Sequence, residues 1–112
     1  MKPPHLNRKL VLEGAVRTAD GAGGFVQSWQ ALGTHWAAVE PRTGRERARG
    51  EYAVSSMSYR VIVRAAPMGS IARPSPDQRF REGNRVFVIR AIAERDPGGR
   101  YLICFTDEEV AA

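Results

Sequence analysis

The densest cluster of reactive or charged side chains in this sequence is a run of arginines. Arg42, Arg45, Arg47 and Arg49 stand together against one acid, Glu46. Arginine's planar fork binds phosphate and carboxylate in pairs, so it suits anionic partners. Like charges this close repel unless something negative is near. The run therefore points to an acidic partner or a surface facing one, with a solvated charged loop as the plain alternative.

The other candidates for chemistry are isolated. His5 lies in a proline-rich terminus and His35 beside Trp36, and neither has a metal partner at useful spacing. Cys104 sits in the apolar run YLICF, where a thiol behaves as a small hydrophobe rather than a nucleophile. Glycines at 21–24, 44–50 and 98–99 match neither GxxxxGK[ST] nor GxGxxG. No pair of carboxylates stands out as acid and base. Asp107, Glu108 and Glu109 form an acidic patch that reads as a solvated end or a partner for a neighbour's arginines. The expectation is no enzyme, no catalytic residues, no cofactor and no metal.

The elements must place that arginine run. A chain of 112 residues is one domain by length. No apolar run approaches the length of a membrane span, and MKPPHLNRKL lacks the apolar core of a signal peptide, so the chain reads as made and kept in a cytoplasm. Net charge is +5, with only Lys2 and Lys9 as lysines.

Period-2 alternation dominates. Leu10, Leu12, Gly14 and Val16 alternate with Lys9, Val11, Glu13, Ala15 and Arg17 as a half-buried strand. Residues 18–24 are a hairpin tip. A second strand runs from Phe25 to Leu32, bends or bulges at Gly33, and continues from Thr34 to Val39. Trp29 and Trp36 read as core or interface residues. Pro41 ends the alternation. Thr43 and Glu46 fit a capping box, so a short helix from 44 to about 54 has a start signal, weakened by Gly50.

Met57 to Ala66 is the clearest central strand. Residues 67–77 form a loop, 78–81 a short strand, and 82–84 a turn. Arg85 to Glu94 and Arg100 to Thr106 make a hairpin around Asp96-Pro-Gly-Gly99. Strand 86–93 looks apolar on both faces: Val86, Val88 and Ile92 on one, Phe87, Ile89, Ala91 and Ala93 on the other. A sheet covered on one side alternates more cleanly. Its second face is therefore expected to be buried by the 41–56 loop or by another subunit. The fold class is all-β: a small antiparallel β-barrel or sandwich of about six to seven strands, with a long loop at 41–56. Residues 1–6 are expected as a flexible N-terminus and 107–112 as a tail.

The order of these pieces carries a resemblance. Asp20-Gly21 is followed by Gly24 and Trp29, then Trp36-Ala-Ala-Val39 with Gly44 and Glu46. Arg64 closes a β-run, and Arg79-Phe80 precedes Gly83 and Val88-Ile89. From about Leu6 to Phe105 the chain resembles the head–tail joining proteins of tailed phages, also called head-closure or stopper proteins, and their relatives in gene transfer agents.

The resemblance implies a small β-barrel that forms a homo-oligomeric ring, hexamer or dodecamer, at the particle neck. Its partners would be itself, a head-side adaptor or portal, a tail terminator or tail-tube protein, and double-stranded DNA passing non-specifically. It implies no membrane. Assembly would take place in the bacterial host cytoplasm, and the protein would end in the neck of the particle. The loop after the second strand region would project toward the channel and help retain DNA. By position that loop is Pro41 to Ser56, which carries Arg42, Arg45, Arg47 and Arg49. The alternative function is an OB-like module binding single-stranded nucleic acid, with Phe25, Trp29, Trp36, Tyr59 and Phe87 as candidate stacking aromatics.

Overall fold

The computed structural model describes residues 2–42 and 57–109. Six strands follow in order: β1 (Arg8–Ala19), β2 (Phe25–Pro41), β3 (Met57–Arg64), β4 (Arg79–Glu82), β5 (Arg85–Glu94) and β6 (Tyr101–Glu109). All pairs are antiparallel. The order β1-β2-β3-β6-β5-β4 closes on itself as a barrel. The all-β barrel expectation is met. The helix expected from 44 to about 54 lies outside the described residues.

Local chemistry sets the turns. Asp20 accepts hydrogen bonds from the Ala22 and Gly24 amides at 2.8 and 3.1 Å, and Gly21 and Gly23 take the positive φ values that close the β1–β2 hairpin. At Gly83, φ of 61° at the first central position of a two-residue loop is what a type II′ hairpin turn demands. Asp96 does for β5–β6 what Asp20 does for β1–β2, accepting from the Arg100 and Tyr101 amides at 3.0 Å.

Inward side chains fill the barrel. Leu10, Leu12, Ala37, Val61, Val63, Phe80, Phe87, Ile89, Leu102 and Cys104 form one core. Burying a large apolar side chain contributes about 1.5–3 kcal/mol, so these residues carry most of the stability. Thr106 is buried among them and satisfied, donating to the Tyr59 carbonyl at 3.1 Å.

Two bulges change which residues face inward. In the β1–β2 ladder, Leu12 opposes Gly33 and Glu13 opposes Ala31, so Leu32 is the extra residue, one position before the glycine expected to mark it. In β5–β6, Ile89 opposes Thr106 and Ala91 opposes Phe105, so Arg90 is extra. This second bulge corrects the reading of strand 86–93. Phe87 and Ile89 face the core, the bulge switches parity, and Ile92 packs inward opposite buried Cys104. Ala91 and Ala93 are exposed. Most of the apparent second apolar face is one face continued across a bulge.

β6 continues to Glu109, so Asp107 to Glu109, expected in a tail, are strand residues. β1 and β2 also extend beyond the barrel. Only Val11 to Glu13 of β1 pair with β4, and only Ala37 to Pro41 of β2 pair with β3. Residues 14–19 and 25–30 pair with each other alone, forming a two-stranded arm.

Candidate functional site: the barrel mouth and the arm

At the end of the barrel where β2 finishes and β3 begins, the inward positions turn from apolar to charged. Arg8 donates to Glu82 through Nε at 2.9 Å, and Arg85 to Glu108 through Nε at 2.8 Å and Nη2 at 3.1 Å. The Arg8 hydrogen bond holds the Glu82 carboxyl below its ordinary value. Arg85 also lies 5.0 Å over the Phe87 ring and 5.6 Å over Tyr59, and those two rings meet edge-on. The layer caps the apolar core. The barrel interior is thus filled from core to mouth, and the described residues leave no hole for a polymer to thread.

The outer wall at this end carries a second set. Asp107 accepts from Ser58 Oγ at 2.8 Å and from Arg90 Nε at 3.1 Å. Asp107 and Glu108, expected as solvated or neighbour-facing acids, are therefore held by groups of their own chain. Arg42 follows β2 directly. Its amide donates to the Ser58 carbonyl at 2.9 Å, and its guanidinium lies 5.4 Å over Phe105 on the outer wall. Arg45, Arg47 and Arg49 lie outside the described residues.

At the opposite end the arm leaves the barrel at a joint the sequence pattern concealed. Glu13 is only 5% exposed. It accepts from Arg79 and Arg81, each at 2.7 Å. Burial alone would push its carboxyl up, but the two arginine hydrogen bonds outweigh it and hold the group below its ordinary value. Arg79 in turn lies 4.0 Å over the Trp29 ring. Alternation had put Glu13 on a solvent face beside Lys9 and Arg17. The local pattern holds no hint that β4 crosses there.

The 65–78 loop braces the other side of this joint. Gly33 lets Ala72 approach, since a Cβ there would stand 3.2 Å from that of Ala72. His35 Nε2 lies 2.7 Å from the Ala72 carbonyl; a carbonyl only accepts, so that nitrogen carries the proton. Burial pushes the imidazole below its ordinary value, and the bond to Ala72 offsets this in part. The ring meets Phe80 edge-on at 6.0 Å. His35 is thus a structural group.

Cys104 is fully buried, and burial pushes its thiol up to about 12, which leaves it protonated and unreactive. Among the described residues no group of three or more His, Cys, Asp or Glu could hold a metal. No described helix is long and apolar enough to cross a membrane. Trp36, read as core or interface, is 52% exposed, while Trp29 is half-buried under Arg79.

Comparison with known proteins follows the fold. One solved chain, from the virion of a native gene transfer agent particle, is 55% identical; the match covers 98% of this chain and 100% of that one, with a TM-score of 0.80. A protein of Shigella flexneri 2a, known from a solution structure, shares the fold at 19% identity and a TM-score of 0.69, over 100% of both chains. No curated protein matches. The sequence matches the phage head completion protein family over residues 1–109, and the chain belongs to that family.

Proposed function

We propose that this protein is a structural neck component of a phage-like particle, joining head to tail, and that it has no enzymatic role. The observation that carries the reading is the whole-length likeness to a chain seen in a gene transfer agent virion. In this reading the subunits form a ring between the head-side adaptor or portal and the tail terminator or tail tube. They assemble in the host cytoplasm and remain in the particle neck.

The filled barrel supports a ring, because any passage for DNA must then lie between subunits. Arg42 leaves the barrel at the mouth, and in this reading the 41–56 segment that it opens faces that passage with Arg42, Arg45, Arg47 and Arg49. Arginine neutralises backbone phosphate without reading sequence, and modest contacts multiply around a ring.

The single-strand reading is weaker on geometry. A stacking platform needs free aromatic faces. Phe87 is fully buried, Tyr59 packs against it, and Trp29 is covered by Arg79; the two exposed candidates, Phe25 and Trp36, stand eleven residues apart along β2 and share no platform.

The test replaces the four arginines with serine. The isolated variant is expected to keep the wild-type fold, losing about 1 kcal/mol from the contact of Arg42 with Phe105. Particles built with it are expected to lose packaged DNA, measured as nuclease-sensitive DNA per particle. Normal retention would reduce the loop to a solvated face.

A further inference from the structure

The arm is an unusual thing for a small barrel to build. Two strands alone are marginal in water, and both edges of this pair are open beyond the barrel. Its tip exposes Phe25 and Val26, 62% and 55% accessible. Charged, proline-rich or twisted edges normally prevent strands from pairing with other chains, yet Arg17 is the only charge on these arm strands.

The two faces of the arm differ in chemistry. On one face the register aligns Ala15 with Trp29, Arg17 with Gln27, and Ala19 with Phe25. Arg17 lies 4.7 Å over Phe25, as Arg79 lies over Trp29, so this face is cationic and aromatic. On the other face is a depression of about 310 Å³ lined by Gly14, Val16, Leu32 and Pro76, with Gln30, Asp77 and Gln78 as its polar part. Gly14 lets Leu32 pack against the strand that floors it, since a Cβ there would stand 2.9 Å from Leu32 Cδ1. Asp77 is exposed, holds a left-handed φ of 75°, and has no ion pair among the described residues; nor has Arg17.

We propose that the arm is the contact between copies of this chain: the Arg17–Phe25 face of one arm seats over the Gly14–Leu32–Pro76 depression of a second copy, with Arg17 meeting Asp77. An aromatic ring meets the Val16, Leu32 and Pro76 part of the hollow, and Arg17 and Asp77, neither with an ion pair among the described residues, are of opposite sign. The contact joins unlike faces, so it repeats from copy to copy and closes only as a ring. This inference rests on the neck reading and supplies the surface by which its ring would form.

The test is disulfide cross-linking of purified particles that carry Gln27→Cys, beside Arg17, together with Gln30→Cys, in the depression. Native Cys104 is buried and unreactive, so the background is silent. The two new thiols lie three residues apart on one strand, roughly 10 Å and on opposite faces, too far to bridge within a chain. Oxidation is expected to give a ladder of covalent multimers of this chain, while either single cysteine gives no ladder. Arg17→Asp is expected to remove the ladder, and Arg17→Asp with Asp77→Arg to restore it. Monomers only, or an adduct to a different particle protein, would overturn the arm inference and leave the neck reading standing. Absence of the wild-type chain from the particle would overturn both.

Discussion

Among the described charged residues, Glu13 alone is buried, and it bears the most on stability of these. A buried carboxylate stripped of its partners is costly, whereas a surface ion pair contributes about 0–1 kcal/mol. Glu13 belongs to the first class, its side chain 6% exposed. Arg79 at 18% exposure carries more of the interaction than Arg81, which at 42% is screened by water. Glu13→Gln is expected to lower unfolding free energy by about 2–3 kcal/mol, measured by urea titration, because charged hydrogen bonds of this kind are worth about that much. The pH dependence follows from the same bonds. The Glu13 and Glu82 carboxyls are both held below the reference value of 4.5, so their stabilisation is complete above it and is lost as pH falls through the lowered native values. His35 acts at higher pH: its native value lies below the reference of 6.5, so the unfolded chain takes up the proton first, and stability declines as pH drops below 6.5. His35→Gln is expected to flatten the stability profile between about pH 5 and 7, read from the urea midpoint at each pH.

Among elements, β4 is the shortest strand and the barrel depends on it. It contributes one fully buried side chain, Phe80, and joins β5 to β1. Phe80→Ala is expected to cost about 3–5 kcal/mol in chemical unfolding, enough to leave a domain of this size close to unfolded. The strands themselves were legible in the sequence, because Leu10–Leu12 and Tyr59–Val61–Val63 alternate and the glycine and aspartate turns are strong local signals. The bulges were only half legible. Gly33 announced one, but nothing about Arg90 distinguishes it from an ordinary outward residue, so strand 86–93 read as apolar on both faces. Glu13 was illegible for a related reason: its burial depends on β4, sixty-six residues later, and local alternation carries no information about a strand that arrives from so far away. The arginine run was legible as charge, and Arg42 is seen to leave the barrel where Pro41 suggested.

For the whole molecule, filling the barrel moves function to its outside. A core of side chains capped by Arg8–Glu82 and Arg85–Glu108 makes each subunit a solid block. Solid blocks enclose a passage only by assembling. The barrel supplies rigidity, the mouth presents Arg42, and the arm reaches the other way.

The closure of the sheet is uneven around its circumference. β3 and β6 share eight aligned pairs, while β1 and β4 share three: Val11 with Arg81, Leu12 with Phe80, and Glu13 with Arg79. Those three pairs are a seam. They join chain segments some seventy residues apart, so they are expected to form late, and with three pairs against eight they are expected to part before the β3–β6 ladder. Amide hydrogen exchange is expected to show the β1–β4 amides opening ahead of the β3–β6 ladder, and Glu13→Gln to widen that gap. A subunit whose seam parts while its β3–β6 spine holds becomes an open, curling sheet with its arm swinging free. The buried clasp of Glu13 between two arginines therefore sets how often the chain exposes bare strand edges to other chains.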